Sequence, residues 1–136
     1  MGYYVSLEIQ LKTKKKAAEI RNILAKGDLI NVPETEITGK GAYRYLNYKT
    51  CDFKLSQESE AVLLLMLLDL EPVHKPNNGR QTPNLVFFDD LECRSWGYII
   101  SYGQIQPMTT VWDYDTQAQP LNRSVLLDRL QPVPPE

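Results

Sequence analysis

Residues 61–70, A-V-L-L-L-M-L-L-D-L, restrict the fold of this chain more than any other stretch. This is the longest apolar run, and only Asp69 interrupts it. Leucine and methionine fill it and Val62 is its single β-branched residue, a composition that favours helix over strand. Ser56 stands where an N-cap belongs, Glu58 and Glu60 bring negative charge to the first turn, and Pro72 ends the pattern. A helix apolar on every side has to be covered on most of them, because a surface helix carries a polar stripe. The run is only about half the roughly 20 residues that a bilayer crossing takes. It predicts a core helix packed on a sheet, with a helix facing a partner as the alternative.

At 136 residues, with 43% hydrophobic and 24% charged side chains, the chain has the size and composition of one globular domain. We expect a single α+β domain over residues 1–131 and a proline-rich tail over 132–136. The N-terminus, M-G-Y-Y-V-S-L-E-I-Q, alternates where a signal peptide would be continuously apolar and has no basic start, so a cytoplasmic protein is expected. Met1-Gly2 with Ser6 fits a myristoylation pattern superficially, but Tyr3, Val5 and Leu7 read better as strand residues. Cys51 and Cys93 are too few for a disulfide framework, and two buried thiols in a reducing compartment are expected.

Charge is unevenly spread. Residues 1–54 hold ten Lys/Arg against six Asp/Glu, and residues 55–136 hold five against eleven. The halves therefore carry +4 and −6, which polarises the surface if they fold to opposite sides and cancels if they fold together.

Taken in order, Tyr3, Val5, Leu7, Ile9 and Leu11 alternate with polar partners, which predicts a strand with one buried face. Thr13 then caps a helix whose stripe is Ala17, Ile20, Ile23 and Leu24, and Gly27 closes it in a left-handed position. Residues 29–32 suggest a short strand ended by Pro33, and residues 42–48 alternate again, with Cys51, Phe53 and Leu55 continuing the apolar face. After the central helix comes a turn-rich loop over 71–84, a buried strand over 85–88 and an acidic turn over 89–92. Residues 94–114 predict a hairpin with Trp96, Tyr98, Ile100 and Tyr102 on one face, a turn at Gly103, and Pro107 marking an edge or a bulge. A short helix follows over 121–130. The expected class is α+β: an antiparallel sheet with two helices on one face, in a ferredoxin-like β-α-β-β-α-β order or a different α+β arrangement, then a C-terminal hairpin and short helix.

No constellation of catalytic residues is found, so a non-enzymatic role without cofactors is expected, and a metal-dependent or small-molecule enzyme is the remaining alternative. The single histidine, His74, lies in the long loop with no local nucleophile signature. Asp113 and Asp115, with Asp89, Asp90 and Glu92, offer oxygen ligands, but their spacing matches no metal-binding loop, and no metal site is expected.

The stretch over residues 39–54, G-K-G-A-Y-R-Y-L-N-Y-K-T-C-D-F-K, stands out. Lys40, Arg44 and Lys49 are interleaved with Tyr43, Tyr45 and Tyr48. Rings that stack and cations that meet phosphates suit single-stranded nucleic acid. Lys40-Gly41 resembles the opening of the RNP1 segment of RNA-recognition motifs, but Ala42 stands where an aromatic belongs and the tyrosines fall one place late. On a strand that slip turns every ring to the opposite face, so no family is assigned. The same residues suit protein recognition, and Trp96 and Trp112 on the acidic half form a second candidate surface. The expectation is a non-catalytic interaction protein with a protein partner and no membrane association: an immunity or inhibitor protein, or an accessory subunit. The alternative is an RNA-binding or ribonucleoprotein role for residues 40–54.

Overall fold

A computed structural model of the chain describes residues 3–73, 84–90, 95–101, 104–108 and 120–130. Six strands form one antiparallel sheet: β1 (Tyr3–Thr13), β2 (Glu36–Thr38), β3 (Arg44–Leu55), β4 (Leu85–Asp89), β5 (Ser95–Ser101) and β6 (Gln104–Met108). Their spatial order is β2-β3-β1-β4-β5-β6. The helices are α1 (Ala17–Gly27), α2 (Gln57–Asp69) and α3 (Arg123–Leu130). The protein is thus α+β, as its patterning predicts.

The central strand shows why the sheet has two unlike faces. Val5, Leu7, Ile9 and Leu11 of β1 are buried, while Tyr4, Ser6, Glu8, Gln10 and Lys12 point the other way. Leu46, Tyr48, Phe53 and Leu55 of β3 and Val86 and Phe88 of β4 extend the buried side. Ile20 and Leu24 of α1 join that same core, as does most of α2. The apolar run is a core helix, since Leu63, Leu64, Leu67 and Leu70 lose all contact with solvent. Its start is fixed by the predicted cap: the Ser56 hydroxyl accepts from the Ser59 N–H at 3.0 Å, and Ser59 Oγ accepts from the Ser56 N–H at 2.7 Å. Glu60 in its first turn accepts from Tyr98 Oη at 2.9 Å and Trp96 Nε1 at 3.4 Å, tying α2 to β5.

Several local expectations are corrected. Residues 29–32 form no strand; Pro33 lies in a 3-10 turn, Val32–Glu34, and the second strand is the three-residue β2 beyond it. Thr13 does not cap α1. It is the buried end of β1, and its hydroxyl donates to the Leu70 carbonyl, locking the strand to the end of α2. Lys16 occupies the N-cap position of α1, and its side chain makes no capping bond to the helix. Asp28, not Gly27, takes the left-handed conformation (φ 53°) after α1. Gly27 instead packs against the Met66 side chain: a Cβ there would stand 2.5 Å from Met66 Sδ, so α1 and α2 approach closely at this point. Cys51 is an exposed thiol, because a register shift in β1–β3 pairing between Val5 and Leu7 displaces this part of β3 from strict alternation.

In the sheet the strands of the two halves lie side by side, β2-β3-β1 from the basic half and β4-β5-β6 from the acidic half, and they meet where β1 pairs with β4. Buried Asn84 helps join them. Its Oδ1 accepts from the Lys12 N–H at 2.8 Å, and its Nδ2 donates to the Val73 carbonyl at 3.1 Å. β5 and β6 pair antiparallel, with Ser101 opposite Gln104; Tyr102 and Gly103 lie outside the described residues. Pro107 sits on β6, the last strand in the sheet, where a missing N–H is tolerated. No helix among the described residues is long and apolar enough to cross a membrane.

Candidate binding surface

The face of the sheet opposite α1 and α2, helix-free among the described residues, carries the candidate site over β2, β3 and β1. Register sets its side chains in rows. Lys12 lies opposite Tyr45, which lies opposite Thr38; Gln10 lies opposite Asn47, which lies opposite Glu36; Glu8 lies opposite Lys49. Tyr4 is 60% exposed and Tyr45 40%, two of the four large apolar side chains left exposed among the described residues. Lys12 Nζ sits 4.3 Å from the Tyr43 ring centroid and 5.7 Å from that of Tyr45, so one ammonium engages both rings.

The loop ahead of β3 holds the rings in place. Gly39 (φ 114°) packs so close that a Cβ would meet the Tyr43 carbonyl at 2.7 Å. Arg44 Nη1 donates to the Gly41 and Tyr43 carbonyls at 3.1 and 2.9 Å, and Lys16 Nζ donates to the Gly41 carbonyl at 3.3 Å. Lys40 is exposed at the tip of this loop.

Below the rings a shallow polar concavity of about 430 Å³ is lined by Glu8, Gln10, Glu34, Glu36, Asn47 and Lys49. Its carboxylates outnumber its one cation, so the surface interleaves charge instead of forming a basic track.

The structure brings together only part of the predicted site. Tyr43, Tyr45 and Lys49 share the helix-free face, with Lys40 in the adjoining loop. Tyr48 is 6% exposed and packs into the helix-covered core, which removes it from the surface. The Arg44 guanidinium braces the loop from the opposite side of the strand. Trp96 belongs to the helix side: its ring stacks on Phe88 with centroids 5.3 Å apart, and its indole N–H is held by Glu60. The second aromatic surface is therefore corrected for Trp96, and Trp112 lies outside the described residues, as do Asp113, Asp115, His74 and Cys93. Among the described residues no group of three or more His, Cys, Asp or Glu could hold a metal.

Lys12, Tyr4 and Gln10 were not singled out from the sequence as binding residues. Their alternation put them on the polar face, but only strand pairing shows that Lys12 stands over Tyr43 and Tyr45. Compared with known proteins, the chain matches no family model, and no significant likeness is found among the curated proteins or the solved structures.

Proposed function

We propose that this is a non-catalytic interaction protein that binds another protein through the helix-free face of β2, β3 and β1, in the manner of an immunity protein, inhibitor or accessory subunit. The observation that carries the reading is two exposed rings, Tyr4 and Tyr45, set near opposite ends of β1 on a hydrogen-bonded sheet face among alternating charges. A tyrosine offers large contact area with few rotamers to freeze, and a sheet holds it in place before binding. Lys12 and Lys49 next to Glu8 and Glu36 select a partner with an interleaved pattern of opposite sign. We read the scaffold as a ferredoxin-like core, from its β2-β3-β1-β4 order and the two helices packed on one side, extended by a β5–β6 hairpin. A cytoplasmic location is consistent with the exposed free thiol of Cys51.

The second reading is single-stranded RNA binding, favoured by the cation over Tyr43 and Tyr45. Glu8, Glu34 and Glu36 on the same face oppose a phosphate backbone, and for that reason the protein partner is preferred. The deciding experiment is affinity purification from the native cell with and without nuclease, using wild type and Tyr45→Ala. A stoichiometric protein that survives nuclease and is lost with Tyr45→Ala is the expected result. RNA recovery with partners stripped by nuclease, and affinity falling steeply with salt, would move the assignment to RNA.

A further inference from the structure

A second surface lies on the far side of α2. The sheet takes one side of this helix, while Val62 and Leu65 on another are only half-buried. A groove of about 470 Å³ opens there, with Ile23, Val62, Leu65 and Leu130 among its apolar walls and Lys26 and Asp69 at its edges. Asp69 is neutralised by an ion pair with Arg123. Lys26 has no carboxylate partner among the described residues.

Helix α3 borders the groove and presents the complementary features. Leu130 lines it and Arg123 reaches Asp69 beside it. Leu127 is four residues after Arg123 and three before Leu130, so it lies on the same stripe of the helix. It is 47% exposed, the most exposed leucine among the described residues. Next to it Asp128 is exposed and has no cation partner among the described residues. One surface therefore holds an apolar groove with an unsatisfied cation and, along its border, a protruding leucine with an unsatisfied carboxylate.

We infer that this surface binds a second copy of the chain, in a two-fold symmetric dimer that places Leu127 of each copy in the groove of the other and Asp128 against the opposite Lys26. A two-fold axis makes each contact occur twice from one patch, which a surface carrying both halves of the complementarity requires. Each leucine leaves water for apolar walls, and the ion pair fixes register more than it adds affinity. This surface is separate from the Tyr4–Tyr45 face, and the inference does not depend on the reading of that face.

The test is sedimentation velocity on the full-length chain from low-micromolar to several hundred micromolar concentration. Wild type is expected to reach twice the chain mass as concentration rises. Leu127→Glu should raise the dissociation constant by at least about tenfold while leaving the circular dichroism unchanged, since this side chain is not in the core. Lys26→Asp alone should weaken association, and combining it with Asp128→Lys should restore it. Wild type that stays monomeric throughout overturns the inference, as does a dimer that Leu127→Glu leaves intact.

Discussion

The helix-free face of the sheet is two different surfaces. Over β2, β3 and β1 it shows Tyr4, Lys12, Tyr45 and Lys49 to solvent. Over β4, β5 and β6 the same face buries Leu85 and Met108, 6% and 4% exposed, although neither belongs to the main core. Phe87 lies there against Gly97, its directly opposed residue on β5. The two halves share one backbone ladder, so pairing does not distinguish them; side-chain chemistry does. Burying a Leu or Met side chain stabilises by about 1.5–3 kcal/mol, so the second half is permanent structure. Tyrosines among charges are stable in water and still favourable when covered, which suits a surface that is only sometimes occupied.

Substitutions on the two faces should sharpen that contrast, the largest effect coming from the helix side. Phe88→Ala removes a fully buried ring stacked on Trp96 and should cost about 3–5 kcal/mol in urea denaturation. Phe87→Ala, one residue along and facing the other way, should cost clearly less, because that ring is only half-buried. Equal losses would mean that the β4–β6 half of this face is as much a core as the helix side.

Gly97→Ala tests how closely the covered half is packed. Its Cβ would meet the Val86 carbonyl at 2.7 Å and the Phe87 ring at 3.0 Å, and the sheet backbone cannot yield. We expect a loss of about 1–3 kcal/mol, read as a lower melting temperature. An unchanged melting temperature would show that the Val86 carbonyl as well as the Phe87 ring gives way, and that this half of the sheet is loosely packed.

A smaller effect is expected at alkaline pH. Burial, then the charge and hydrogen bond of Glu60, push the Tyr98 hydroxyl well above its ordinary value. A group whose folded pKa is raised stabilises fully below its unfolded pKa, about 10 for tyrosine, and loses that contribution as pH rises beyond it. Stability should therefore fall above about pH 10, and Tyr98→Phe should flatten this decline at a cost of about 1 kcal/mol at neutral pH. A decline just as steep in Tyr98→Phe would assign it to other groups. Smallest of all, Tyr45→Ala should change stability by no more than about 0.5 kcal/mol, because this ring sits at the surface.

Much of this was legible in the residues. The alternation of β1 named its buried face, and the Ser56 cap with the leucine run placed the central helix. Where prediction slipped, a local signal had two physical meanings. A threonine before a helix suggests a cap, but Thr13 is buried and bonds to Leu70, which only the packing of α2 against β1 reveals. A glycine ending a helix suggests a left-handed turn, whereas Asp28 takes that conformation and Gly27 packs against Met66. Of the predicted site, Tyr43, Tyr45 and Lys49 share a surface, but Tyr48 lost its place because inward positions on β3 accept a tyrosine as readily as a leucine. Trp96 was misread because an aromatic with a polar edge fits an interface and a core equally well until Glu60 is seen to hold its N–H.

By itself the sequence determined the class of the protein and its central helix, because periodicity, capping and propensity are local and need no partner to act. It also determined that the polar face of β1 and the tyrosines of β3 would exist. Only the tertiary structure decided that Lys12 stands over Tyr43 and Tyr45, that acids share their face, and that Leu127 borders an apolar groove. Those facts depend on which strands and helices become neighbours across long stretches of chain, and that is settled by burying the whole core at once.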